Sequence, residues 1–417
     1  MPASSACLIR IAIALCNLLI LHCNIPSGRY IFAGMAVVSV RSRENPAPRA
    51  AAPPLPGGTA TVIIMEPSST GILELDGGTG PTHPELTFDR GVPRTLVHKT
   101  AVSEVLLTDA VRTGADRFAI AAQWPRHHVL FENGMCPAGT ADPLLLLETV
   151  RQAGIYVSHV YYDVPLAHPF LLTSIEYEVE PPTPGSAARQ GPHCVLLDVQ
   201  CVVERRAADR LGMSLEARLV IDGRPEGRVG LCWQAVTLER YARMRHPDGR
   251  VTAPPTGPGT VPAALAGAVA APHVLGRRHD RDAMLAALPA DPGTVRPTPR
   301  DAWSLRLDTT HPVYFDHACD HIPGMALAES FAQAAALTSG RLAGIPAGEL
   351  RWTLESSALS FDSFGELGRP VVIATEPVAE PPEHGRRAVL VSAEQDGRLL
   401  AHGALIGVTS RTDGVTR

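Results

Sequence analysis

Two carboxylates stand inside long apolar runs. Glu148 lies in DPLLLLETVRQAGIYVSHV (142–160) and Glu329 in PGMALAESFAQAAALTSG (323–340), and each precedes a glutamine by four residues, Gln152 and Gln333. A charge on a greasy helix costs free energy unless it is paired or used. Burial raises a carboxyl pKa toward neutrality, which makes Glu148 and Glu329 candidate general bases. The alternative is that each is satisfied by hydrogen bonds and serves only the structure. Arg151 follows Glu148 by three residues, so the two share nearly one helix face. Such an arginine either holds a phosphate through a bidentate contact or neutralises the glutamate. Gln152 and Gln333 suit orientation of a neighbour or bonding to backbone.

The elements that carry these residues are legible. Asp142 is placed to cap the first helix, with Pro143 at its first position. Pro323 opens the second helix and Gly340 is expected to stop it. Both helices are apolar nearly all round, the mark of a buried helix. Their N-termini, at Pro143 and Gly324, present free amides and the positive end of a dipole to a developing oxyanion. Gly324 has no side chain to block that approach. Histidines precede both helices: His128 in HHVLFEN (127–133), and His317 and His321 after HPVYF (311–315). Asp316 and Asp320 are expected to cap turns there.

Strand-like runs follow each helix. Asp222-Gly223 and Asp396-Gly397 each separate two such runs, which is a hairpin signal. The matching order predicts a duplicated unit, a sheet wrapped around one central helix. The repeats occupy 96–247 and 301–412. Residues 1–95 read as a leader without a packed core and 248–300 as a Pro/Ala-rich linker.

Composition narrows the function. The 417 residues suit two domains, and 45% are hydrophobic, enough for a sizeable core. A net charge of −5 argues against a nucleic-acid partner. The eight cysteines include no Cys-x-x-Cys pair, so no metal is expected, and free thiols fit a reducing cytoplasm. The apolar run 11–22 is short for a membrane span and leaves a minor chance of targeting; starts at Met35 or Met65 are alternatives. No Gly-rich phosphate loop or nucleophile elbow appears, and no cofactor is expected.

Five motifs in order, VHKTAVSEVLLTD (97–109), AQWPRHH (122–128), DPLLLLETVRQAG (142–154), VPLAHPFLL (164–172) and FDHACDHIPGMALAESFAQAA (315–335), resemble the A-factor biosynthesis (AfsA-like) family. The resemblance implies an α+β fold of two tandem hot-dog domains, each an antiparallel sheet around a central helix. Together they would form an internal pseudo-dimer with an acyl tunnel between the halves. It implies an acyltransferase that moves a β-ketoacyl group from an acyl thioester, on acyl carrier protein or coenzyme A, to dihydroxyacetone phosphate. That ester is a precursor of γ-butyrolactone autoregulators. A dehydratase or thioesterase, or a non-catalytic acyl-binding protein, would share the fold. The implied catalytic residues are Glu148 and Glu329; Arg151, Gln152, Gln333, His321, His128 and Gly324 would bind substrate. His317 and His321 sit where the related dehydratases keep a catalytic histidine. One departure stands out: the second helix has Ala332 where the family pattern has the arginine seen at Arg151.

Overall fold

The computed structural model describes residues 35–39, 61–65, 86–131, 142–179, 192–246, 270–288, 301–378 and 385–411. The chain divides into two units, Met1–Gly77 and Gly78–Arg417. In the first, β1 (Met35–Ser39) pairs antiparallel with β2 (Thr61–Met65), Val37 opposite Ile63. That ladder falls within the stretch expected to be a leader; two β-branched runs, MAVVS and TVIIM, supply it. The apolar run 11–22 lies outside the described residues.

In the second unit the first half runs β3 (Leu107–Arg112), β4 (Arg117–Trp124), α1 (Pro143–Tyr161), β5 (Phe170–Val179), β6 (His193–Ala207), β7 (Arg210–Ile221) and β8 (Arg224–Val236). A short helix, α2 (Leu238–Arg245), follows, capped by Thr237. The second half repeats the order with β9 (Leu285–Ala286), β10 (Ala302–Leu305), α3 (Gly324–Leu342), β11 (Leu350–Phe361), β12 (Val372–Pro377), β13 (Arg386–Gln395) and β14 (Arg398–Arg411). These form one 12-stranded sheet in the order β3-β4-β6-β7-β8-β5-β11-β14-β13-β12-β10-β9. Reversing that order exchanges the halves strand for strand. The halves join where β5 pairs antiparallel with β11, Ser174 opposite Ser360 and Glu178 opposite Ser356. The internal pseudo-dimer is therefore one continuous sheet.

Local chemistry explains the elements. The Asp142 carboxylate accepts the Leu144 N–H at 2.9 Å and starts α1. Leu144, Leu147, Val150, Ala153 and Val157 are all buried, since sheet and neighbouring turns wrap the helix. On β8, Val229, Leu231, Trp233 and Ala235 alternate inward. Gly154 lets α1 settle there, because a Cβ would come within 3.3 Å of the Trp233 ring. The two Asp-Gly pairs have left-handed φ at both positions, 48° and 80° for Asp222-Gly223 and 52° and 74° for Asp396-Gly397. They turn β7 into β8 and β13 into β14.

Two expectations are corrected. Gly340 does not stop α3, which runs on to Leu342; Gly344, at φ 65°, supplies the left-handed residue beyond it. Gly340 instead admits β11, since a Cβ would lie 2.7 Å from Leu350 Cδ2. The linker 248–300 is not linker throughout. Residues 270–288 form turns Pro272–Leu275 and Asp280–Asp282 and strand β9, with Leu275, Met284 and Leu285 buried. Flanking Pro and Ala had hidden a core segment. No described helix is long and apolar enough to cross a membrane.

At Gly403 a Cβ would fall 2.1 Å from the Ala358 carbonyl oxygen, between β14 and β11. Gly403→Ala is expected to lose about 2–3 kcal/mol in urea denaturation. Gly348→Ala, with nothing within 4 Å, should stay within about 0.5 kcal/mol of the parent.

Candidate active site

Both helix glutamates point inward, Glu148 4% and Glu329 3% exposed. Each is held by the glutamine one turn on. The Gln152 Nε2–H group donates to Glu148 Oε1 at 3.0 Å and to the Glu104 carbonyl at 2.8 Å, while its Oε1 accepts the Leu106 N–H at 2.9 Å. Gln333 repeats the pattern on Glu329 (2.6 Å), Asp282 (2.8 Å) and Met284 (2.9 Å). The glutamines thus clip the turn segment before β3 or β9 onto the helix, as orienting residues would.

Those segments also bring a cation each, Lys99 and Arg277. In the first half, Lys99 Nζ lies 2.9 Å from Glu148 Oε1, and Arg151 forks onto both carboxylate oxygens at 2.8 and 2.9 Å. In the second half, where Ala332 replaces the arginine, Arg277 supplies the fork from the segment before β9. It donates to Glu329 Oε1 and Oε2 at 2.7 and 2.6 Å. It also reaches into the first half, to Asp142 Oδ2 at 2.8 Å and the Leu130 carbonyl at 2.6 Å. The balance is opposite in the two centres. In the first, two cations touch one carboxylate, with Asp316 also in the field of Arg151; in the second, one cation lies between two carboxylates. Arg277 is 3% exposed, whereas the Arg151 side chain keeps 22% of its surface in solvent.

The first centre does not behave as burial alone predicts. Burial would raise the Glu148 pKa, but the Arg151 and Lys99 charges overcome it and hold the carboxyl well below its ordinary 4.5. Three contacts fall on Oε1 and one on Oε2, and the adjacent cations disfavour the proton uptake that the general-base role expected of Glu148 requires. The second centre borders a cavity of about 30 Å³, space for a water or two, lined by both halves through Leu144, Leu147, Leu275, Glu329, Ala332 and Trp352.

A histidine pair belongs to the first centre alone. His98 Nε2 lies 2.8 Å from His159 Nε2, and His159 Nδ1 lies 2.7 Å from the Val164 carbonyl oxygen. His98 adopts a left-handed φ of 52° just before Lys99. Such a backbone costs a non-glycine residue about 1 kcal/mol or more. The matching residue before Arg277 is Gly276, at φ 73°, and His159 is matched on α3 by Gly340.

The other predicted residues scatter. His128 organises its own turn: Nδ1 accepts the Leu130 and Phe131 N–H groups at 3.2 and 3.3 Å, and Nε2 lies 3.3 Å from Glu104 Oε2. His311 does the same in the second half, through Val313, Tyr314 and Asp282. Gly324 faces no open approach, since a Cβ would meet Phe361 at 3.2 Å and Leu172 at 3.3 Å. Asp316 does not cap a local turn; it accepts the Thr100 and Ala101 N–H groups at 2.6 and 3.0 Å across the halves. His317 stands in the field of Arg151, Asp316, Lys99 and Glu148, and burial and Arg151 lower its pKa. His321 joins a separate cluster: Nδ1 lies 2.7 Å from Asp320 Oδ1, which also accepts the Tyr241 hydroxyl at 2.6 Å. Burial opposes the charged ring, but Asp320 and Cys319 push its pKa up to about 9. The donor atoms of Cys319, Asp320 and His321 lie within 4.8 Å of one another, but the Arg245 guanidinium 3.1 Å from Asp320 opposes a metal there.

Lys99, Arg277, His98 and His159 were not singled out from sequence. A signal existed: TLVHKTAVSEVLL (95–107) and HVLGRRHDRDAML (273–285) align without a gap, Lys99 on Arg277.

Removing Arg277 strands two buried carboxylates. Arg277→Met is expected to cost about 3–5 kcal/mol in chemical denaturation, and adding Glu329→Gln should recover part of it. The depressed Glu148 pKa contributes stability fully above the unfolded value of about 4.5 and loses it as pH falls below that. Stability measured from pH 7 to 3 should therefore fall less steeply in Glu148→Gln than in the parent.

Residues 82–237 and 263–410 each match the family described as A-factor biosynthesis hotdog domain, the second match beginning inside the stretch expected to be linker. A 2-oxo-3-(phosphooxy)propyl 3-oxoalkanoate synthase of Streptomyces virginiae is 38% identical over 307 residues, covering 73% of this chain and 93% of the relative. The synthase of the same name from Streptomyces coelicolor is 30% identical over 320 residues, 76% of this chain and 91% of the relative. That from Streptomyces griseus is 32% identical over 322 residues, 75% and 94%. With each half matched and the duplicated sheet closed around a glutamate-bearing helix, the chain belongs to the A-factor biosynthesis (AfsA) hotdog family.

Proposed function

We propose that this chain transfers a 3-oxoacyl group from an acyl thioester to the hydroxyl of dihydroxyacetone phosphate, the ester that the names of its Streptomyces relatives describe. The acyl donor is a thioester of acyl carrier protein or coenzyme A. One observation carries the reading: Arg151, held on Glu148 beside Lys99, keeps 22% of its side chain in solvent, where its guanidinium meets a phosphate. Arg151, part exposed, meets the phosphate, with Lys99 behind it. Glu148 and Gln152 are positioning residues that hold both cations in place. The second centre, with its cation spent between Glu329 and Asp142, ties the halves together. A dehydratase that uses Glu148 as its acid would need a carboxyl that carries a proton near neutrality, and the adjacent cations oppose that.

Incubating the protein with a 3-oxoacyl thioester and dihydroxyacetone phosphate should yield a phosphorylated ester by mass spectrometry. Free acid or an enoyl thioester as the only product would overturn the assignment. A charge-assisted contact is worth about 1.5–3 kcal/mol, so Arg151→Ala should raise the acceptor KM roughly 10- to 100-fold. The same variant should show no such change with unphosphorylated dihydroxyacetone.

A further inference from the structure

The second centre holds polar groups that its ion pairs do not satisfy. Trp352 and Ser357, both on β11, line the cavity beside Glu329. They are 3% and 5% exposed, and neither Trp352 Nε1–H nor Ser357 Oγ finds a hydrogen-bond partner among the described residues. Buried polar groups of folded proteins are nearly always bonded, either to protein or to ordered water.

The first half shows that the fold does not require these groups. At the seam Ser357 stands opposite Tyr177 and Leu359 opposite Ile175, so exchanging the halves puts Ile175 in the place of Ser357. The ladders agree: Ser357 pairs with Leu405 on β14 and Ile175 with Leu231 on β8, each just past a bulge. The bulge in β11 turns Ser357 rather than Ser356 toward the core. Five residues before Ser357 and Ile175 stand Trp352 and Phe170. The Trp352 indole lies over Gly407, where a Cβ would fall 2.7 Å from the ring. The first half carries Trp233 at the position of Gly407, and that indole N–H donates to Ser158 Oγ at 3.2 Å. An apolar pair and a bonded indole in one half thus correspond to two unpartnered polar groups in the other.

The cavity itself says what meets them. Its volume of about 30 Å³ fits a water or two and no larger ligand. A buried water needs about two to four polar partners. Glu329 and Asp142 also line the space. Glu329 Oε2 and Asp142 Oδ2 each accept one bond from Arg277, and a carboxylate oxygen has lone pairs for about two.

We propose that this cavity is a closed water-binding site. It holds a water or two that accept the Trp352 indole N–H, bond to the Ser357 hydroxyl and donate to the carboxylates of the centre. The first half fills the same places with Phe170 and Ile175, so the site arose with the divergence of the two centres. It stands whether or not the acyl-transfer reading holds.

A high-resolution crystal structure of the full chain tests this. Water density is expected about 2.7–3.2 Å from Trp352 Nε1 and from Ser357 Oγ. A dry cavity overturns the proposal, and so does a direct bond from either group to a protein atom. In Trp352→Phe and in Ser357→Ala the water beside the altered side chain should be lost; a water that stays in place overturns that residue's role. Should neither variant fold, the parent protein decides the matter in solution as well. There the Trp352 indole proton should show a direct Overhauser cross-peak to a long-lived water, and its absence overturns the proposal.

Discussion

A carboxylate buried on a central helix must be met by positive charge, and how each half meets that demand organises the rest of the molecule. The Coulomb term between groups 3 Å apart in a poorly hydrated interior is large enough to reverse the effect of burial on Glu148. The turns before β3 and β9 deliver Lys99 and Arg277, and these segments are packed against the helices and clipped there by Gln152 and Gln333. Sheet, turn and helix are thus held in one relation in both halves.

The duplicated centres have diverged by moving one guanidinium. In the first half the arginine sits on the helix and a lysine on the turn; in the second, the helix has Ala332 and the turn has Arg277. Arg277 makes the same two-pronged contact that Arg151 makes, but from the opposite side, and its remaining nitrogen reaches Asp142, the cap of the other half's helix. One consequence is mechanical, because the ion pair crosses between halves that already share a sheet. The other is chemical, because no positive charge remains there for a ligand. The histidine pair follows the same division. Where the centre is given over to holding the halves, glycines occupy both positions and the backbone is relaxed.

Much of this was legible in the chain. Asp142 and Pro143 marked the start of α1, the Asp-Gly pairs marked two hairpins, and the two apolar runs marked the helices to within two residues. The catalytic detail was less legible. The general-base expectation for Glu148 rested on burial, which is correct, and lacked Lys99, 49 residues earlier. Arg277 lay in a stretch whose Ala and Pro content resembled a linker. His128 looked like a site residue because it precedes a helix, and only its twin His311 shows that both serve their own turns.

The amino-acid sequence alone determined the duplication, the two buried helices with their glutamates, the turns and the family, because caps, periodicity and turn chemistry act over a few residues. The tertiary structure decided which charges face each glutamate, the sign of the Glu148 shift, the pairing of His98 with His159 and the difference between the two centres. Those depend on contacts near 3 Å between groups that the chain separates by 49 residues for Lys99 and Glu148, 61 for His98 and His159, and 135 for Asp142 and Arg277. No local pattern encodes them.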